Sequence, residues 1–296
     1  MTTTPGTDAP LPARGADWTT DELVIARIAR DFSGEVVATG ATVHSYLAAR
    51  LAKALHAPEL AIVGGSLAGF DCPVTPQIPG DEFVAGHLAP APLDWLEQWD
   101  LITADRFRIV LGPAQIDRHG NCNISVLGDW SRPTVQMIGS RGIPDDAARL
   151  SELSYHVVRH STKTFVERVD FVCGPGFGAE RRRLGMTTGL PRRVVSDLGV
   201  FGFDPAGEHM VIESLHPGVS FEHCRQRTGF AWPEPAGPIP VTAPPTEAEL
   251  RCLREVVDPH GVRLAATGQA TPELLATLYA AERRAIAEAQ AKGPVP

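Results

Sequence analysis

Residues 35–65 read EVVATGATVHSYLAARLAKALHAPELAIVGG, and their patterning decides the fold class. Glu35-Val-Val-Ala-Thr-Gly40 is a short β-prone run ended by glycine, which predicts a strand. Thr42 follows as a helix cap, with Val43, Leu47, Leu51 and Leu55 spaced along one apolar helical face. Leu60-Ala-Ile-Val63 is continuously apolar and runs into Gly64-Gly65, the pattern of a strand covered on both faces. Strand, helix and strand within roughly 30 residues make a βαβ unit, and with it a parallel pairing in an α/β fold. Upstream, Thr20-Asp21-Glu22 opens another helix, with Leu23, Ile25, Ile28 and Ala29 on its apolar side.

The rest of the chain extends this frame. Phe107–Leu111 is a further apolar strand. Ala114-Gln115-Ile116 and Asn123-Ile-Ser-Val-Leu127 flank Asp117-Arg-His-Gly120, whose Asp and Gly suit a type I turn closed by a left-handed glycine. A hairpin is therefore expected here, and it would make the sheet mixed. Additional strands are expected at 164–169, 171–173, 193–196, 199–203 and 210–214. The fold expected is an open, mixed, largely parallel sheet with flanking helices. Residues 1–18 read as a flexible lead, 19–231 as the α/β domain, and 232–245 (WPEPAGPIPVTAPP) as a proline-rich linker. Residues 246–296 read as C-terminal helices: Thr246-Glu-Ala-Glu249 is a capping box, and Thr271-Pro272 starts an amphipathic run that ends at Gly293.

Composition bounds the function. The 296 residues carry 27 Lys+Arg and 35 Asp+Glu, a net charge of −8, which argues against a general nucleic-acid binder or a protein drawn to anionic membranes. At 43% hydrophobic and 21% charged, the chain is of globular type. Five dispersed cysteines without a CxxC pair suit a reducing compartment. No apolar run reaches the roughly 20 residues of a membrane span, and the first 18 residues lack the apolar stretch of a signal peptide. A cytoplasmic protein is expected.

Few motifs carry chemistry by themselves. His156 and His160 would share a helical face at metal-ligand spacing, but no third ligand accompanies them, and a packed or solvated pair is the simpler reading. Gly174-Pro-Gly176-Phe-Gly178 misses the dinucleotide fingerprint and reads as a turn with tight backbone approach. Arg181-Arg182-Arg183 with Arg192-Arg193 is a basic cluster in an acidic chain: either a solvated loop or an anion site for the phosphates of a ligand such as coenzyme A. Gly139-Ser-Arg141-Gly142 places an arginine between glycines, where it can approach a ligand or brace its own loop.

Leu111-Gly-Pro-Ala-Gln-Ile-Asp-Arg-His-Gly-Asn-Cys-Asn-Ile-Ser125 resembles the Gly-Ala-Gln-Val/Ile-Asp-x-x-Gly-Asn-x-Asn segment of class I CoA-transferase β subunits. Arg193–Phe203, Leu215-His-Pro-Gly-Val219 and Thr228-Gly-Phe230 are similar to later elements of the same family, and the resemblance spans about residues 20–260. Glutaconate CoA-transferase β subunits share the layout, including the Arg-Arg-Leu-Gly stretch at 182–185. The β subunits of cholesterol ring-cleaving CoA-thioester hydrolases are similar across Ser131-Arg132-Pro133-Thr134.

The resemblance implies an α subunit of related fold that completes the active site, an α2β2 assembly, and coenzyme A as part of the substrate with no permanently bound cofactor and no metal. In the transferases a β-subunit glutamate attacks the acyl-CoA thioester. By the resemblance that position is Gly64, followed by Gly65 and Ser66; the nearest acids, Glu59 and Asp71, lie before the strand and beyond it. The ring-cleaving hydrolases, in which an α-subunit glutamate is the base, accommodate a β chain without a nucleophile. The β chain then shapes the pocket. Gly64, Gly65, Ser66, Gln115, Asn121, Asn123, Arg132, Gly139, Arg141 and Gly142 are its candidate substrate or CoA contacts, with Arg181 and Arg182 as candidate phosphate contacts. Alternatives are a glutaconate-type transferase with a relocated nucleophile and a non-catalytic scaffold subunit.

Overall fold

Thr19 starts the first helix by a reciprocal capping box. Its hydroxyl accepts from the Glu22 amide, and the Glu22 carboxylate accepts from the Thr19 amide. The computed structural model describes residues 17–34, 36–38, 42–63, 95–150, 152–204, 206 and 208–292. Gly64, Gly65, Ser66, Asp71 and most of the lead at 1–18 lie outside them.

In chain order the elements are α1 (Thr20–Ala29), β1 (Val36–Ala38), α2 (Val43–Leu55), β2 (Ala61–Val63), α3 (Trp95–Thr103), β3 (Ile109–Leu111), β4 (Gln115–Ile116), β5 (Cys122–Asn123), β6 (Val126–Asp129) and β7 (Arg132–Gln136). There follow α4 (Ile143–Arg149), β8 (Leu153–Val157), α5 (Ala179–Arg183), β9 (Pro191–Ser196), β10 (Gly199–Asp204), β11 (His209–Leu215) and α6 (Phe221–Gln226). The chain closes with α7 (Glu247–Cys252), a π-helical turn over Leu253–Val257, α8 (Val262–Ala266) and α9 (Pro272–Lys292).

Among the described residues, seven strands form the main sheet in the order β11-β10-β9-β8-β3-β1-β2. β2, β1, β3, β8 and β9 run parallel, and β10 and β11 close the other edge antiparallel. The sheet is thus mixed and largely parallel, as the alternation of strands and helices predicts. Its mixed character comes from β9–β11 and not from the hairpin at 114–125. That hairpin forms, with Gln115 opposite Asn123, but as a separate two-stranded ribbon (β4–β5), and β6–β7 is a second one.

Two further expectations are corrected. Residues 164–169 and 171–173 are loops: Phe165 and Gly174 each make a single bridge to the hairpin, at Ile116 and Cys122, and no ladder propagates from either. His156 lies on strand β8 and His160 in the loop after it, so they do not share a helical face.

Apolar layers cover the sheet on both sides. On one side Ile25, Ile28, Leu47 and Leu51 of α1 and α2 pack with Val110, Val195, Val200, Leu253 and Val257. On the other, Tyr155, Val194, Phe201 and Met210 pack with Phe165, Phe230 and Trp232. The proline-rich segment follows the β11 edge, where Leu215 donates to Pro240 and Thr242 donates back to Leu215. Proline lacks the amide for a full ladder, so only this short pairing forms.

Candidate functional site

Asp117 organises the hairpin loop. Its Oδ1 accepts from the amides of His119 and Asn121, and its Oδ2 accepts from Asn121 Nδ2 at 2.9 Å. The Gly120 amide donates to the Asp117 carbonyl, with Gly120 at φ +78°, the expected turn closed by a left-handed glycine. Burial pushes the Asp117 carboxyl up, against the lowering effect of the Asn121 and His119 hydrogen bonds.

The loop is seated against the 174–178 turn. Gly176 donates to Asn121 Oδ1 at 2.8 Å, and Phe177 donates to the His119 carbonyl at 2.7 Å. A Cβ on Gly176 would fall 2.0 Å from the His119 carbonyl oxygen, so the close approach read from the three glycines is a fact of the fold.

Gln115 and Asn123, both buried, face each other across the ribbon. Asn123 Nδ2 donates to Gln115 Oε1 (2.8 Å) and to the Val126 carbonyl (2.7 Å), while Asn123 Oδ1 accepts from the Ser125 amide. Gln115 Nε2 donates to Asp170 Oδ2 at 3.0 Å, and the same oxygen accepts from the Gly128 amide. These side chains tie β4–β5, the base of β6–β7 and the 170–173 loop into one polar floor. Ser125 Oγ continues it, 3.1 Å from both Ser140 Oγ and Cys173 Sγ.

Adjoining this network at Ser140 and Cys173 is a cleft of about 800 Å³, lined by Asp117, Asn121, Ser140, Arg168, Cys173 and Glu180 on its polar side. Phe171, Val172, Leu184 and Met186 form its apolar side. Arg141 is exposed next to Ser140 in a left-handed conformation (φ +52°), a strain of about 1–2 kcal/mol for a residue with a Cβ. Gly139 (φ +88°) lets the loop turn there, and a Cβ on Gly142 would come within 3.3 Å of the Trp99 ring. The structure therefore brings Asn121, Gln115 and Asn123 together with the loop carrying Arg141. Arg132 stands exposed on β7, outside the cleft lining.

The other candidates are engaged elsewhere. Arg181 is buried, donates to the carbonyls of Ala147 and Pro175, and has its pKa pushed down by burial. Arg182 pairs with Glu208, Arg183 with Glu180, Arg192 with Glu152, and Arg193 with Asp31 and Glu213. His160 is packed, between Ser196 Oγ and Thr228 Oγ1, and burial pushes its pKa down to about 3. Ser125, Ser140, Arg168, Asp170 and Cys173 were not singled out from sequence. They lie in loops, and Ser125, Arg168 and Cys173 fall in stretches whose composition predicts strands, so nothing local marks them as cleft residues.

A coenzyme A transferase family model matches residues 22–226. The cholesterol ring-cleaving hydrolase IpdB subunit of Rhodococcus jostii is 35% identical over 236 residues, 78% of this chain and 88% of the relative. The solved structure of Rhodococcus jostii IpdAB superposes with a TM-score of 0.68 at 31% identity, over 85% of this chain and 99% of that one. That of glutaconate coenzyme A-transferase from Acidaminococcus fermentans gives 0.74 at 25% identity, over 86% and 99%. The chain belongs to the coenzyme A transferase family.

Proposed function

We propose that this chain is the B-type subunit of a two-component enzyme that hydrolyses a C–C bond in a cyclic oxo-acyl-CoA, as in steroid ring degradation. The observation that carries the reading is the 35% identity to a ring-cleaving hydrolase subunit over 88% of that subunit's length. Gly64 supports it: by the resemblance it occupies the transferase glutamate position, and glycine offers no nucleophile.

In this reaction water adds to the ring ketone carbon, and the bond between that carbon and the carbon beside the thioester breaks. The electron pair passes to the thioester as an enolate, which then takes a proton, while the former ketone becomes a carboxylate. A base on the partner subunit activates the water. This chain supplies the cleft. Asn121 is held at its wall by Asp117 and Gly176, and the Gln115–Asn123–Asp170 floor fixes the loops that face the substrate. Arg141 and Arg132 are the cations for carboxylate or phosphate, and Arg182 a peripheral one; the carbonyls around Arg181 favour a bracing role for it. Coenzyme A enters as part of the substrate.

The superposition on glutaconate CoA-transferase, at a TM-score of 0.74, favours acyl transfer as the second reading. One experiment separates the two. The chain is purified with its partner subunit and given a cyclic β-oxo acyl-CoA in water labelled with heavy oxygen. Hydrolysis yields a ring-opened acyl-CoA that has gained one labelled water. A hydroxylamine-sensitive CoA adduct on this chain, without ring opening, overturns the proposal in favour of transfer.

A further inference from the structure

We infer that the β6–β7 ribbon, together with the apolar lip of the cleft, is the docking surface for the partner subunit, which seats on it and roofs the cleft. The inference rests on the two-component reading above, and four observations carry it.

First, the ribbon is built to be covered. All but one residue of β7 is exposed, and an isolated two-stranded ribbon is marginal in water. Yet its base is fixed, by the Asn123 bond to the Val126 carbonyl and the Met137 bond to the Ser125 carbonyl. Toward its tip, Asp170 holds the Gly128 amide, and Trp130 stacks on Phe171 with ring centroids 4.6 Å apart. A strand pair held this firmly in place, with its apolar side chains in water, is preorganised for contact.

Second, exposed apolar groups concentrate here. Within residues 22–226, where the family model matches, the large exposed apolar side chains among the described residues number eight. Five of these, Trp130, Val135, Ile138, Val172 and Leu184, belong to the ribbon or the cleft lip. Leu55, Leu96 and Val158 sit singly on α2, α3 and the end of β8. Trp130 is 62% and Ile138 67% exposed, and it is their clustering, not the exposure of any one of them, that marks an interaction surface.

Third, the composition is that of an interface core. From Trp130 to Ile138 the only charged residue is Arg132, whereas 21% of the whole chain is charged. Tryptophan, methionine and arginine with few other charges is the signature of interface centres.

Fourth, the location discriminates among surfaces. The patch lies inside the family-model match, residues 22–226, whereas the exposed Leu275 and Tyr279 of α9 lie beyond it. The patch also continues into the cleft wall: Phe171 carries Trp130 on the ribbon side and lines the cleft itself. A body seated on the ribbon is therefore brought to the mouth of the cleft, where a base from a second chain is needed.

The test is association, read independently of turnover. The full chain is co-expressed with an α-like subunit from the same organism, and the affinity of the pair is measured by sedimentation and by interferometry. Trp130→Glu and Ile138→Glu are each expected to weaken the pair by at least about 30-fold, with thermal melts of the isolated variants unchanged. Trp130→Phe should restore most of the affinity, and the α9 variant Tyr279→Glu should bind like the wild type. Ribbon variants that bind at wild-type strength, or a Tyr279→Glu variant that alone loses binding, overturn the inference. So does a wild-type chain that stays alone with the α-like subunit, or one whose ribbon holds a second copy of itself. If the pair forms through the ribbon but opens no ring, the docking surface stands and the hydrolase reading falls. If rings open while ribbon charges leave the pair intact, the reverse holds.

Discussion

At the scale of single residues, the site is governed by how closely two loops approach. Gly176 is the clearest case. A methyl there would lie 2.0 Å from the His119 carbonyl oxygen, 2.5 Å from the Gly120 carbonyl carbon and 2.7 Å from the Asn121 amide nitrogen. All three are backbone atoms, so no rotamer change relieves the clash, and the hairpin loop must move away from the 174–178 turn. Gly176→Ala should therefore cost about 2–3 kcal/mol and lower the melting temperature measured by circular dichroism. Gly237→Ala, where a Cβ meets nothing within 4 Å and φ lies outside the left-handed range, should leave it unchanged. An unaltered melt for Gly176→Ala would refute the close approach. The sequence made this much legible, because three spaced glycines after an apolar stretch require a reason. It also pointed to Gln115, Asn121 and Asn123, as candidate ligand contacts or, for the two asparagines, as residues that close the hairpin. In the structure Gln115 and Asn123 bond to each other, to Val126 and to Asp170, and Asn121, at the cleft wall, bonds Asp117 and Gly176. Nothing local in the sequence reveals that Asp170, some 55 residues from Gln115, is the acceptor that satisfies the floor.

At the scale of elements, local patterning was enough for β1–α2–β2 and for the Thr246–Glu249 capping box, whereas the first helix, read as opening at Thr20, is capped by Thr19. It failed where long-range pairing decides. β8 carries Ser154 and His156 among its apolar residues, so its strand character comes from neighbours on both sides, β3 and β9. Conversely, 164–169 is strand-like in composition, yet Thr164 and Phe165 both donate to the Ser161 carbonyl and turn the chain. The capping residue Glu22 also joins distant elements. It is buried and pairs with Arg254 (2.7 Å) and Arg263 (3.1 Å), so α1 holds the C-terminal helices. Burial alone would push this carboxyl up, but the Arg254 and Thr19 hydrogen bonds and the charge of both arginines hold it below its ordinary value. A folded-state value lowered in this way contributes stability above the unfolded value near 4.5, and that contribution is lost as the pH falls through the lower folded value. Glu22→Gln should cost about 3 kcal/mol at pH 7, the lower end of the range for a buried pair because Arg254 is partly exposed. It should also flatten this part of the acid limb. Denaturant midpoints of both proteins between pH 7 and 3.5 test it, and a constant difference across that range would be inconsistent with the pairing.

At the scale of the whole molecule, the question is whether the C-terminal 65 residues, 232–296, are an appendage or part of the body. Composition sets 232–245 apart as a linker, but its contacts are those of a packed segment. Trp232 is buried against Phe201 and Phe230 and donates to Thr228 Oγ1. Pro240 and Thr242 bond Leu215 on the β11 edge, and Thr242 also meets Ser214 and His216. Arg30 of α1 donates to the carbonyls of Ala243 and Pro244 and to Glu249. Leu253 and Val257 then complete the core over α1 and α2. Removing all this uncovers a sheet edge, strands the arginine and opens the core, and each buried aliphatic side chain lost costs a few kcal/mol. By contrast, among the described side chains of α9 only Leu278 and Ala281 are buried, and Leu275 and Tyr279 face solvent. We therefore expect two different outcomes from two truncations. A chain ending at residue 268, which keeps the linker, α7, the π-helical turn and α8, should melt cooperatively within about 4 °C of the full-length protein. A chain ending at residue 231 should lose more than about 5 kcal/mol, most of the stability of a typical domain. It should be recovered mainly as aggregate, as expected of an uncovered edge strand. Soluble yield and far-ultraviolet melting of the two truncated chains decide the matter. A cooperative transition from the shorter one would mean that residues 19–231 fold alone, and that the C-terminal contacts rest on a finished domain instead of completing it.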